Sequence, residues 1–228
     1  MGTNDENCGI PTQRFVLESL DETTECITEE VVFEVDEVAE LCTIIDANVA
    51  DISRFVYELE SEQVERLMLR FKIAFDHRSP MVRLRGWRPI DELPYKVHTN
   101  RELALMLQGI KPLSIFSGEY PGHPDLEEIP ERLFDPYVAA ARFVKREYVV
   151  PSRGTREVLY ALPTQEWRIN AMILLLDTAA QTGWNESLER IQGSLLGYET
   201  WQNDVFMERI YERGRPSSPV SPNATTRR

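Results

Sequence analysis

The residues best suited to chemistry lie in one stretch, Ser117-Gly-Glu-Tyr-Pro-Gly-His-Pro-Asp-Leu-Glu-Glu-Ile-Pro-Glu131. Glu119, His123, Asp125, Glu127, Glu128 and Glu131 stand close together there on a backbone punctuated by Gly and Pro. An imidazole among carboxylates can hold a divalent ion such as zinc or manganese, and paired carboxylates can do general acid–base work. Carboxylates in such a loop are more often simply solvated, and His-x-Asp is a common accident of loops. The loop therefore defines an enzyme alternative, with or without a divalent metal, that ranks below a binding function.

A second group of residues can bind rather than react. Residues 66–101 carry Arg66, Arg70, Lys72, Arg78, Arg83, Arg85, Arg88, Lys96 and Arg101 against Asp76, Asp91 and Glu92. Residues 142–156 add Arg142, Lys145, Arg146, Arg153 and Arg156 against Glu147. In Met81-Val-Arg-Leu-Arg-Gly-Trp87 the two-residue period of a strand sets Arg83 and Arg85 on one face, with Trp87 beside them. Arg83, Arg85, Trp87, Arg142, Lys145 and Arg146 are thus the candidate binding residues. They could neutralise and stack an anionic ligand or nucleic acid, or pair with the chain's own acids within one chain or across a homodimer.

Those acids are unevenly placed. Residues 1–65 hold 18 Asp or Glu against only Arg14 and Arg54, a balance of −16, within a total of −13. The remainder of the chain is therefore slightly basic. An overall negative charge repels the phosphate backbone and disfavours general nucleic-acid binding. Opposite charges in separate segments suit steering toward a protein partner or a second copy.

Other chemistries find no support. The chain lacks GxGxxG, GxxxxGK[ST] and HExxH, so no cofactor is expected. Cys8, Cys26 and Cys42 have no CxxC spacing, which argues against zinc and a disulfide framework, so neither a metal nor any other cofactor is expected in the leading reading. Gly193-Ser-Leu-Leu-Gly197 has its serine in the wrong place for a nucleophile elbow and reads as a close helix-packing site. Met1–Glu6 has no basic or apolar leader, and the run Ala171–Leu176 is far too short to span a bilayer. A cytoplasmic protein with no membrane segment is expected.

The elements that must position these residues follow from periodicity. Phe15–Leu20 reads as a strand. Val32–Leu41 and Val56–Leu67 repeat a pattern of short strand, capping residue (Asp36 or Ser61) and amphipathic helix, a possible internal repeat. Thr99 and Glu102 form a capping box, Gly109 ends the helix behind it, and Leu113–Phe116 reads as a strand. Pro130 and Asp135-Pro136 look like two helix starts. Phe143–Val150 and Glu157–Ala161 form a hairpin about Gly154. Trp167–Thr182 is apolar all round, so a central, buried helix is expected. Two more helices follow, capped by Asn185 and Thr200, with Ile191 and Trp201 on their inward faces.

The whole is an α+β fold: a small antiparallel sheet packed against a helical layer, preceded by an acidic N-terminal region of short β-α units. The organisation expected is residues 1–75, residues 76–214 and a disordered Pro- and Ser-rich tail 215–228. The leading function is a non-enzymatic interaction or regulatory protein.

Overall fold

The computed structural model describes residues 12–76, 79–122, 129–150 and 153–211. These form an α+β fold with seven α-helices and two antiparallel sheets, of four and three strands. None of its helices is long and apolar enough to cross a membrane. The expected tail 215–228, the centre of the 117–131 loop, and Pro151-Ser152 of the hairpin turn lie outside the described residues.

The chain divides into two compact units, the first reaching Asp91 and including His98–Leu105, the second holding the rest. The break expected near Asp76–Pro80 therefore falls inside the first unit. Its sheet contains β1 (Gln13–Leu20), β2 (Ile27–Val35), β3 (Val56–Leu59) and β4 (Val82–Gly86), in the order β2-β1-β4-β3. The basic strand, assigned from sequence to the second domain, is thus paired on both sides by N-terminal strands.

Two helices, α1 (Val38–Ile45) and α2 (Ser61–Phe71), follow β2 and β3, so both β-α units of the suspected repeat are present. Phe15, Leu17, Leu84, Leu41 and Leu67 are fully buried in the core of this unit. The caps differ from expectation. Helix α2 starts on Glu60, whose side chain caps Gln63 while Gln63 caps back, so Ser61 lies inside the helix. Residue Asp36 likewise gives way to Glu37 as the residue preceding α1.

In the second unit β5 (Leu113–Glu119), β6 (Val144–Val150) and β7 (Thr155–Ala161) form a sheet in the order β5-β7-β6. Gly154, at φ 63°, supplies the left-handed turn that joins the expected hairpin. Helix α3 (Glu102–Leu107) precedes β5, and α4 (Glu131–Ala139) follows it as one helix, with Pro136 in its interior rather than at a second start. An aromatic layer of Phe116, Phe134, Phe143 and Tyr160 ties α4 to one face of the sheet.

The opposite face buries Leu113, Leu159 and Ala161 against α5 (Trp167–Thr182) and α6 (Glu186–Leu195). The α5 helix is not the buried central element its composition suggests. Ile169, Met172 and Leu175 are buried, whereas Trp167 and Leu174 are 55 % and 68 % exposed. A three-stranded sheet has too little area to cover more than one stripe of a helix. Ile191 on α6 and Trp201 on α7 (Thr200–Phe206) are also exposed rather than inward. Asn185 caps α6 as expected, accepting from the amides of Ser187 and Leu188. Glu199, not Thr200, precedes α7 and forms a capping box with Gln202. Gly193 admits α7: a Cβ there would lie 2.0 Å from Asn203 Oδ1.

Candidate functional site

Three of the candidate binding residues, Arg83, Arg85 and Lys145, belong to two charge networks, one in each unit. In the first, β1 and β4 run antiparallel with Glu18 opposite Arg83. The two-residue period brings Arg83 and Arg85 to the same face, and both reach Glu18. Arg85 Nε donates to Glu18 Oε1 at 2.6 Å, and Arg83 Nη2 donates to Oε2 at 3.1 Å. The outer nitrogens of Arg85 form a fork on Asp91, at 2.7 and 2.9 Å. Asp91 is held in a 3₁₀ turn, Pro89–Glu92, by the Arg88 amide at 2.7 Å.

This network is deep. Glu18 is 1 % and Arg85 7 % exposed. Burial works against the charge of Arg85, but the hydrogen bonds and charges of Asp91 and Glu18 outweigh it and raise its pKa further. The Nε of Arg83 is the one buried donor of the network with no partner. Trp87 carries the Arg14 guanidinium over its ring, 3.5 Å from the centroid. The stacking expected at Trp87 is therefore used within the chain.

Further cations of the 66–101 stretch meet acids of the N-terminal segment. Arg101 Nη2 donates to Glu30 at 2.8 Å, and Arg70 pairs with Glu40. Intrachain pairing, one of the alternatives set out from the sequence, is what these four arginines do.

The second network lies where α4 crosses β6 and β7. Glu131, the last residue of the site-like loop, is the first residue of α4. Its carboxylate accepts both outer nitrogens of Arg156 (2.7 and 3.0 Å) and Lys145 Nζ (2.6 Å). Lys145 also donates to both oxygens of Asp135, at 2.9 and 3.0 Å, and Asp135 accepts from the Tyr160 hydroxyl at 3.1 Å. The remaining Nε of Arg156 reaches Glu147 at 3.1 Å.

Arg156 and then Lys145 hold the Glu131 carboxyl down to about 2, against the cost of burial. Burial opposes the charge of Lys145 as well, but Glu131 and Asp135 outweigh it and raise its pKa. Tyr160 is pushed well above its usual value by burial first and then by Asp135. These shifts fix an ionised carboxylate, a protonated amine and a protonated phenol. None is poised near neutrality, as a general acid or base would need to be.

Arg142 stacks over Tyr137 at 5.4 Å, and Arg146 bonds Asn170 and Glu166. Arg83 and Arg85 therefore share one network, Lys145 anchors the other, and Trp87, Arg142 and Arg146 have separate partners. Among the described residues no group of three or more His, Cys, Asp or Glu could hold a metal ion. Of the loop candidates, Glu119 and Glu131 are described, whereas His123, Asp125, Glu127 and Glu128 lie outside the described residues.

Sequence reasoning passed over Glu18, Asp91, Asp135 and Tyr160. A signal for Glu18 was present: a lone carboxylate inside the apolar run Phe15-Val-Leu-Glu-Ser-Leu20. An acid there must find a cation if both faces of the strand are covered. Nothing in the local sequence of Asp135 or Tyr160 announces their shared bond.

Compared with known protein families, with curated proteins and with solved structures, the chain matches none of them.

Proposed function

We propose that this chain is a non-enzymatic interaction or regulatory protein of the cytoplasm, which binds a protein partner or copies of itself. One observation carries the reading. Three of the four tryptophans, Trp167, Trp184 and Trp201, are exposed on or beside the helices of the second unit. Exposed tryptophan is costly surface, and it is the side chain most enriched among residues that dominate protein interfaces.

The charge networks support the same choice by subtraction. Arg85 and Lys145 spend their hydrogen bonds on carboxylates of their own units, and phosphate oxygens would have to displace those carboxylates. The nucleic-acid alternative loses its best cations in this way. The strong excess of acid in residues 1–65 remains available to steer a partner of opposite charge. Cys26 and Cys42 are buried free thiols, which suits the cytoplasm.

Gel filtration with multi-angle light scattering, combined with capture on immobilised protein across a salt series, tests this function. Self-association or a partner retained in a salt-dependent way is expected. A strict monomer that retains nothing at low or high salt would overturn it.

A further inference from the structure

We propose that a cavity of about 600 Å³, at the end of the first unit's sheet where β1 turns into β2, binds an organic polycation whose ammonium groups meet Ser19, Asp21 and Glu29. This site stands whether or not the chain also binds a protein partner.

The cavity is lined on one side by the β1–β2 hairpin and on the other by Asp76 and Ser79, ahead of β4. Its volume falls in the range of roughly 300–1,000 Å³ usual for ligand sites. Asp21, Glu22, Glu29 and Asp76 bring carboxylates to it, and no basic side chain lines it among the described residues. Asp21, Glu22 and Glu29 make no ion pair among the described residues. Elsewhere in this unit Glu18, Glu30 and Glu40 each hold an arginine.

Ser19 points to a ligand independently of those acids. It is 2 % exposed, yet its hydroxyl makes no hydrogen bond, since Thr28 donates to its carbonyl instead. Ser19 stands opposite Glu29 in the β1–β2 pair, and facing residues of antiparallel strands project to the same side. The Asp76 amide reaches the Glu29 carboxylate on that side, at 3.3 Å. Ser19 Oγ is therefore directed with Glu29 toward the wall that Asp76 and Ser79 provide. A buried hydroxyl without a partner is costly, and an N–H donor in the cavity would satisfy it.

The acceptors left open define the ligand. Asp21 Oδ1 takes the amides of Thr23 and Thr24 and the Thr24 hydroxyl, which leaves Oδ2 open. Glu29 takes the Asp76 amide on Oε1, which leaves Oε2 open. These carboxylates do not converge as metal ligands do: among the described residues no group of three or more His, Cys, Asp or Glu could hold a metal ion. Separated acceptors around a space of this size suit several ammonium groups on one flexible chain. A free polyamine and the lysines of a basic peptide share that chemistry.

Isothermal titration calorimetry of the full chain with spermidine, and in parallel with trilysine, tests the site at an ionic strength of about 0.15 M. Saturable binding of at least one of the two is expected. Spermidine alone assigns the site to a free polyamine, and trilysine alone assigns it to the lysines of a partner. Glu29→Gln removes a lining charge and is expected to raise Kd ~10-fold. Ser19→Ala removes only the unpaired hydroxyl, and is expected to raise Kd ~3-fold or more without lowering Tm. Glu65→Gln makes the same charge change on the exposed face of α2, away from the cavity, and should move Kd less than ~2-fold. Equal weakening by Glu29→Gln and Glu65→Gln would show diffuse attraction to an acidic chain and overturn the site. Binding that Ser19→Ala leaves unchanged, or no saturable binding of either amine, overturns it as well.

Discussion

Glu18 and Glu131 each bridge two basic side chains, both on β4 for Glu18 and one each on β6 and β7 for Glu131, yet in very different surroundings. Glu18 is sealed between paired strands at 1 % exposure, with Arg85 almost as deep. Glu131 sits at a helix start with its side chain 28 % exposed, and Lys145 on β6 and Arg156 on β7 reach it from the sheet. Water can solvate Glu131 or Lys145 if the other is lost. No such rescue exists for Arg85, which would keep only Asp91 as a counter-charge, besides the Gly86 carbonyl. The difference teaches that similar ion pairs can be a condition of folding in one unit and an adjustable contact in the other.

The largest effect should follow from breaking the buried side of that comparison. Glu18→Gln leaves Arg83 and Arg85 short of a counter-charge and is expected to cost about 3–5 kcal/mol in chemical denaturation. Next comes Glu131→Gln, which weakens the bidentate hold on Arg156 and the bond from Lys145. Its cost should be about 1–2 kcal/mol, since the pair is part-exposed.

Acid sharpens the contrast. The Glu131 carboxyl is lowered from 4.5 to about 2, so its stabilisation is complete above the unfolded value and lost as pH falls toward the folded one. The stability gap between wild type and Glu131→Gln should therefore be constant above pH ~5 and close between pH ~4.5 and ~2. The smallest effect belongs to Arg142→Ala, which removes an exposed cation–π contact with Tyr137 and should cost about 0.5–1 kcal/mol.

What the sequence made legible was local. The hairpin about Gly154, the cap at Asn185 and the strand Phe15–Leu20 depend on side chains within a few residues, and each is in place. The even spacing of Arg83 and Arg85 correctly set both on one face. Partnership across the chain was not legible. Nothing local says that β4 inserts between β1 and β3, some sixty residues from one partner in sequence, and so the first unit extends past the expected break. For α5, composition was a poor guide to depth. Leu174 is as apolar as Leu175, but only Leu175 lies on the stripe that the sheet covers. Sequence marked Glu131 for its loop, whereas its partners Lys145 and Arg156 come from the hairpin beyond.

The central proposition is that Arg83, Arg85, Arg101, Lys145 and Arg156 are committed to the chain's own carboxylates and that the basic stretches do not form a surface for polyanions. Fluorescence anisotropy of a labelled single-stranded oligonucleotide, titrated with the full chain at low ionic strength, measures this directly. No rise in anisotropy is predicted up to high micromolar protein. Saturable binding that disappears on Arg142→Ala, Lys145→Ala and Arg146→Ala substitution would contradict it.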